Sequence, residues 1–385
     1  MRILIVNKYA RVTGGADVVA LGLADGLRGR GHEVAMLSTA SPGNLFGDGE
    51  FVDASVTRAS REGLGARAQV DVARRALWNP AAAGAMRRLI RDFRPQVVHA
   101  HKLYPQLSAA PVVVAHRAGI PVVQHLHDYE FISASWRDHS GGWRDRDESR
   151  RSIRALNDAT FVVRRALHVR AVDAWIANSR YVAERHAAVG IEATVLPCFV
   201  EPVAGDRSPF SDRSGALFVG RLDADKGVRD VLRLAELLPS MDVTLAGQGT
   251  LEAEVAAAAR SSPNVTFAGS LDRAEVIGLL SRARVCLMPS RWQEPGGIAA
   301  LEAMSVGTPV IAYASGGLAE YVGDAGGGRV VEPDPQALAR ECEALESDGS
   351  AWEELSVSGA AGVAANNSPE AYAFACERVY GKLVG

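Results

Sequence analysis

Short apolar runs alternate with longer stretches of helical spacing along this chain, and the alternation occurs twice. In the first half, residues 2–7, 33–38, 96–100, 121–125 and 174–177 are apolar runs of strand length. Residues 17–30 space their apolar side chains as a helix does and stop at Gly31, a residue suited to a helix C-cap. A loop to about residue 62 and an arginine-rich helical region ending at Phe93 come next. In the second half, runs at 216–219, 243–246, 265–267, 285–288 and 309–312 repeat the scheme. Strands separated by helices predict parallel sheets with helices on both faces, hence an α/β protein with two doubly wound sheets. The stretch 201–209, rich in Pro, Gly, Asp and Ser, reads as a linker. The expected units are a domain over 1–200, a second over 201–365, and a segment 366–385 whose helix (369–383) reaches back towards the first. Ligands of open α/β sheets bind beyond the carboxyl ends of the strands, so two facing sheets predict a central cleft.

The composition narrows the class. At 385 residues, with 48% apolar and 23% charged, the chain has the size of two globular domains and excludes wholesale disorder. No run of ~18 uncharged apolar residues is present to span a membrane. The first residues carry no secretory-signal pattern, and Cys198, Cys286, Cys342 and Cys376 stand in no CxxC or zinc spacing. A cytoplasmic location with four buried thiols is expected. The net charge of −3 conceals an asymmetry: 27 basic against 19 acidic residues over 1–200, and 15 against 26 thereafter. That +8 is too diffuse for a nucleic-acid stripe, so no nucleic-acid partner is expected.

Two segments carry the chemistry. The first strand leads into Thr13-Gly14-Gly15, which is not the G-x-G-x-x-G of nicotinamide enzymes, and Gly247-Gln248-Gly249 lacks the third glycine. A dehydrogenase is therefore disfavoured. In Ser290-Arg-Trp-Gln-Glu294-Pro-Gly296-Gly297-Ile298, Pro295 suits a first helical position and the glycines expose backbone N–H groups at a helix N-terminus, which attracts phosphate. Glu302 follows Glu294 by eight residues, ~12 Å along a helix axis, a spacing suited to two polyols joined by a diphosphate. Arg221 and Lys226 flank another strand-to-helix turn and supply a bidentate guanidinium and a point-charge ammonium for phosphates. Taken singly, each pair reads as solvated surface charge; the combination carries the reading.

Gly220-Arg221-Leu-x3-Lys226-Gly227 with Pro289-Ser290-x3-Glu294-x7-Glu302-Ala-Met resembles the donor half of family 4 glycosyltransferases, which have the GT-B fold of two Rossmann-like domains. Thr13-Gly14-Gly15 resembles that family's first glycine loop, and His125-Leu-His127-Asp128-Tyr129 its His-Asp segment, so nearly the whole chain is covered. The resemblance implies retaining, metal-independent transfer of a hexose-type sugar from a nucleotide-diphosphate sugar to a hydroxyl acceptor, without a cofactor. It implies that Arg221 and Lys226 bind the diphosphate and stabilise the leaving group. Glu294 would contact the sugar hydroxyls, Gly296 and Gly297 (with Ile298 beside them) the phosphate or sugar, and Glu302 the ribose. Gly15 would approach the phosphate from the first domain and His127 would face the reacting centre. Gly247, Gln248, Ser270 and Leu271 match loops around the base. The alternatives are a non-catalytic sugar-nucleotide-binding module, or another GT-B enzyme such as a sugar-nucleotide epimerase.

The departures are informative too. Pro295 stands where the family commonly has an aromatic residue. Asp223-Ala-Asp225 spells a metal motif of a different glycosyltransferase fold and is read here as a solvated turn. His125 and His127 alternate at a strand end and face one side; the pair is read as hydrogen-bonded, and no metal ligand set is predicted. On the acceptor side the candidates are His101, Lys102, Asp128, Trp136 and Trp143, for a small-molecule or glycan acceptor. The nine arginines of 58–94 offer a peripheral membrane contact, but that stretch has no aromatic-rich apolar face, which favours a soluble acceptor.

Overall fold

The computed structural model describes residues 1–53, 74–134, 151–203 and 207–385, with 151–159 as backbone only. Seven parallel strands form the first sheet: β1 (Arg2–Val6), β2 (Glu33–Thr39), β3 (Gly49–Val52), β4 (Val97–Ala100), β5 (Val122–Leu126), β6 (Ala174–Ala177) and β7 (Thr194–Val195). Their spatial order is β3-β2-β1-β4-β5-β6-β7. The connecting helices are α1 (Gly15–Gly29), α2 (Pro80–Asp92), α3 (Ala110–Arg117), α4 (Arg151–Val169) and α5 (Arg180–Ala187). The second sheet contains β8 (Ser214–Val219), β9 (Val243–Ala246), β10 (Val265–Gly269), β11 (Ala283–Met288), β12 (Val310–Tyr313) and β13 (Gly328–Val331), ordered β10-β9-β8-β11-β12-β13 and again all parallel. Its helices are α6 (Val228–Leu237), α7 (Glu252–Ser261), α8 (Arg273–Leu280), α9 (Ile298–Ser305), α10 (Gly317–Ala325), α11 (Pro335–Ser347) and α12 (Gly349–Asn366), followed by α13 (Pro369–Val384).

Every strand found in the sequence pattern is present. The central strands β1, β4, β5 and β11 are buried along almost their whole length, which is why they read as continuous apolar runs. The strands absent from the pattern are β3, β7 and β13, all at sheet edges. β7 has two residues, and β3 and β13 are partly exposed, so none offers a core-type run.

Strand order reverses between β1 and β4 in one sheet and between β8 and β11 in the other. At such a switch point the flanking loops diverge and leave a crevice. The loops that leave these four strands are the segments rich in candidate residues: 7–14, 101–109, 220–227 and 289–297.

The last helix closes the molecule on the first sheet. Methyl-sized clearance between α1 and α13 is short: a β-carbon on Gly26 would lie 3.2 Å from that of Ala373. Glu377 pairs with Arg30 (2.5 Å) and His32 (2.7 Å). Tyr372 and Tyr380 of α13 reach His125 Nδ1 (3.0 Å) and His99 Nδ1 (2.6 Å).

One backbone feature positions the site directly. Gly227 has φ +73°, and a β-carbon there would fall 1.9 Å from the Pro289 carbonyl oxygen, so the turn after β8 lies against the loop after β11. Gly227→Ala is expected to lower folding stability by ~2 kcal/mol or more, from left-handed strain plus displacement of one loop. Urea unfolding measures this; an unchanged midpoint would show the two loops to be independent.

Candidate active site

On the first sheet, β1 delivers the chain into a glycine loop that is pinned from below. Asn7 donates to Asp17 Oδ1 (2.8 Å), and Thr13 donates to Asp17 Oδ2 through its hydroxyl (2.5 Å) and its amide (3.0 Å). Asp17 is buried in the first turn of α1, where a carboxylate is favoured by the helix dipole. Gly14, the N-cap, has no side chain to satisfy the opening amides of α1. A β-carbon on Gly15 would come within 3.1 Å of Ile298 Cδ1, at the start of α9. That helix is likewise preceded by a glycine, Gly297, with no capping side chain. Two helix N-termini, one from each sheet, thus meet across the cleft with their leading amides uncapped.

The second sheet brings the charged groups to the same place. Lys226 donates to Glu294 Oε1 (2.5 Å), and Ser290 donates to the same oxygen (2.5 Å). Glu294 is only 7% exposed, so this carboxylate is held between an ammonium and a hydroxyl. Its segment is clamped on both sides. Ser179 and Tyr129 of the first domain donate to the carbonyls of Pro295 (2.7 Å) and Gln293 (3.1 Å), and Gly317 N donates to Glu294 O (2.7 Å). Gly316 has φ +55°, and a β-carbon there would strike Glu294 O at 2.5 Å.

Two expectations about these segments need correction. Helix α9 begins at Ile298, so Pro295 is not its first residue and Glu294–Gly297 is irregular chain. The ~12 Å axial separation of Glu294 from Glu302 therefore has no helix to run along; only Glu302 is helical. Carbonyl bonds to Ser179 and Tyr129 draw the segment out towards the first domain. The D-x-D sequence is not a solvated turn either. Asp225 is 3% exposed and pairs with Arg221 (3.2 Å), while Asp223 pairs with Arg221 and accepts from Thr250 N and Oγ1 (2.9 and 2.8 Å). Both carboxylates serve to aim the guanidinium.

Arg221 also borders a hollow of about 200 Å³ with Gly220, Gly247, Gln248, Ser270 and Leu271 in its walls. Gly247 makes this possible, since a β-carbon at its φ of +140° would sit 1.8 Å from Gly220 O. Glu302 lies on α9 and is paired with Arg273 at 3.0 Å. Gly296 packs against Asn178 and Tyr321, whose hydroxyl donates to Asn178 O (2.6 Å). The structure therefore brings Gly15, Ile298, Gly297, Lys226 and Glu294 to one cleft, with the Arg221 hollow beside it.

The acceptor-side candidates divide. Lys102 and Asp128 form an ion pair at the ends of β4 and β5. Burial opposes the Lys102 ammonium, but Asp128 and Glu130 outweigh it and its pKa is raised. Burial and Asp128 push Glu130 up to about 7, and burial and Lys102 lower Lys8. His127 is half-buried, whereas His101 is fully buried and meets the cleft only through a 2.9 Å bond from its Nδ1 to His127 Nε2. His101 is thus not itself a cleft-facing residue. Trp136 and Trp143 lie outside the described residues. Sequence reasoning did not single out Asn7, Asp17, Ser179, Tyr321 or Glu130; their roles come from long-range contacts that no local pattern announces.

Two doubly wound sheets facing a cleft of this kind define the GT-B class. Residues 13–203 match the profile described as Glycosyltransferase Family 4, and 206–360 that of Glycosyl transferases group 1. Glycogen synthase of Mycobacterium tuberculosis is 31% identical over 255 residues, 60% of this chain and 55% of the relative, so that match spans about half of its length. The 2-deoxystreptamine N-acetyl-D-glucosaminyltransferase of Streptomyces fradiae is 30% identical over 80% of this chain and 77% of its own. Anabaena Alr3699/HepE, solved with UDP and with UDP-glucose, shares the fold at TM-score 0.72 and 18% identity, covering 99% of this chain and 100% of that one. The chain belongs to glycosyltransferase family 4.

The buried imidazoles carry a measurable consequence. Burial lowers His99, His127 and His168 to about 3, and holds His101 and His125 well below the ordinary value. The folded values lie below the unfolded ~6.5, so below that pH the unfolded chain binds more protons. Their stabilisation is complete above pH ~6.5 and is lost as pH falls towards the folded values. Urea midpoints are expected to be level near pH 8 to 7 and to fall steeply between about pH 6.5 and 5. A flat profile across that window would show these imidazoles to titrate normally.

Proposed function

We propose that this chain is a retaining glycosyltransferase that moves a hexose-type sugar from a nucleotide-diphosphate sugar to a hydroxyl acceptor, without a metal ion at the phosphates. The observation that carries the reading is the pair of uncapped helix N-termini, at Gly15 and at Gly297-Ile298, facing each other beside the Lys226 ammonium. A diphosphate between them would receive backbone amides from both sides and two cationic side chains, Lys226 and Arg221. The 200 Å³ hollow beside Arg221 is a place for the base, and Glu302 lies on the same helix that points at the phosphates.

Charge supplied by Arg221 and Lys226 takes the part that a divalent ion plays elsewhere. Leaving-group stabilisation by positioned cations and amides then accounts for the chemistry. Glu294 is oriented by Lys226 and Ser290 to accept from sugar hydroxyls. His127, neutral through burial, stands at the end of β5 beside the Lys102–Asp128 pair, on the side from which the acceptor would enter. Attack on the same face as departure, with the leaving phosphate taking the acceptor proton, gives retention. The HepE complexes with UDP and UDP-glucose support a nucleotide sugar, and the 2-deoxystreptamine-modifying relative supports a polar acceptor. No helix among the described residues is long and apolar enough to cross a membrane.

Lys226→Met is expected to lower kcat/KM by roughly 100-fold or more while the protein stays folded, on the scale of a lost transition-state donor. Glu302→Gln should weaken binding of UDP itself, read by calorimetry. Glu294→Gln should spare UDP and impair UDP-glucose or turnover. Equal losses of UDP affinity in both glutamine variants would sink the assignment of ribose and hexose. Binding of sugar nucleotide with no sugar transferred to any acceptor tried would point instead to a binding module.

A further inference from the structure

A second group of chemically capable residues lies outside the donor cleft. The sequence carries His-x-His twice, at His99/His101 and His125/His127, at the ends of neighbouring strands. In the β4–β5 register Ala100 stands opposite Gln124, which places His101 opposite His125 and His99 one diagonal step away on the same face. His99, His101 and His125 are 0%, 0% and 1% exposed. One ring nitrogen from each lies within 4.8 Å of the other two.

The two nitrogens of each ring are treated differently. Nδ1 of His99 meets the Tyr380 hydroxyl (2.6 Å), Nδ1 of His125 the Tyr372 hydroxyl (3.0 Å), and Nδ1 of His101 meets His127 Nε2 (2.9 Å). Nε2 of all three is buried without a hydrogen-bond partner. Buried polar atoms without partners are rare, and three in one place call for a shared occupant. We propose that His99, His101 and His125 form a binding site for one imidazole-preferring transition-metal cation, Zn²⁺ or Cu⁺, that braces α13 against β4 and β5 and is separate from the donor cleft.

The chemistry of the set supports that class. Neutral imidazoles suit zinc and copper, whereas magnesium, calcium and manganese prefer oxygen donors. Burial keeps these rings in the unprotonated form that binds metal. A partner on Nδ1 is the usual outer-sphere support of a histidine ligand, fixing its tautomer and ring plane. Here two of the three supports are phenols from the helix being braced. The rings are stacked, with centroids 4.4 to 5.9 Å apart and planes 9 to 23° apart. Coordination therefore requires them to tilt until the nitrogens lie ~2.0–2.1 Å from a common centre, and the hydroxyl bonds at Nδ1 act as the pivots. Between the two ions, the uncharged donor set favours Cu⁺, because a buried double charge costs more to desolvate.

The test uses the whole chain. Protein stripped with a chelator is loaded separately with Zn²⁺, or with Cu⁺ under reducing anaerobic conditions, then dialysed and measured for retained metal by mass spectrometry. About one equivalent of at least one ion is expected. His99→Asn and His125→Asn should each abolish retention, and the surface control His116→Ala should leave it unchanged. Tyr380→Phe keeps the ligands and removes one outer support, so affinity should fall by roughly 10-fold or more. If the asparagine variants fail to fold, X-ray absorption on the loaded wild-type protein decides instead, with imidazole nitrogens expected in the first coordination shell. No retained metal, retention unaltered by folded asparagine variants, or a shell without imidazole would overturn the site.

Discussion

The cleft is organised around two helix N-termini that come together across a narrow gap, at Gly15 and Ile298. Each carries roughly half a positive charge, and like ends brought together repel. Gly14 and Gly297 hold back the side-chain caps that would ordinarily quench those ends. Asp17 offsets one from inside its own first turn, and Glu294 answers the nearby Lys226. What remains is a site whose electrostatics favour an added anion of more than one charge. The approach is close, since a β-carbon on Gly15 would lie 3.1 Å from Ile298 Cδ1 and one on Gly297 3.0 Å from Leu318 Cδ1.

Order in this gap is supplied by groups that are not themselves attractive to phosphate. Arg221 is steadied by Asp223 and Asp225, Lys226 by Glu294, and Asp223 in turn by Thr250. A long cationic side chain otherwise loses rotamer freedom when a ligand arrives; here that loss is met by the fold beforehand. The same carboxylates would compete with phosphate for the cations. On the proposed reading the balance of the two effects would set how strongly a diphosphate is held, with the backbone amides free of any competing anion. The first domain contributes through Ser179 and Tyr129, whose bonds to the carbonyls of Pro295 and Gln293 tie the position of Glu294 to the closeness of the two sheets.

Much of this was legible in the sequence, for a physical reason. Buried parallel strands must be continuous apolar runs, so the sheet centres were visible, and with them the loops that hold Arg221, Lys226, Glu294 and Gly15; the strand order that makes these loops neighbours was not. Edge strands β3, β7 and β13 carry no such constraint and left no run to find. The start of α9 was misread because Pro295 is locally a good first helical residue; the clamp by Ser179, Tyr129 and Gly317 is non-local and overrides it. Asp225 was misread as solvated for the same kind of reason, since its burial is decided by Arg221 and the packed loop beyond. His125 and His127 could be placed on one face by alternation, but only the arrival of α13, with Tyr372 and Tyr380, shows that the His125 and His99 rings are each satisfied on one side alone.

The acceptor side has a different character, and that bears on what it can admit. Its floor is ionic: Lys102 with Asp128, then Glu130 and Lys8, at the carboxyl ends of the first sheet. An alkyl chain laid over these groups would desolvate charges without replacing their partners, which is costly. A polyol or an amine could instead exchange hydrogen bonds with them. Of the arginine-rich stretch 58–94, residues 58–73 lie outside the described residues; in the remainder Arg88 pairs with Glu50 at 2.8 Å and Arg91 with Asp92 at 2.7 Å. Paired arginines contribute little to attraction at a lipid surface, because that attraction scales with net local charge. An ionic floor and paired arginines are both features that a hydrophilic ligand tolerates better than an alkyl chain does.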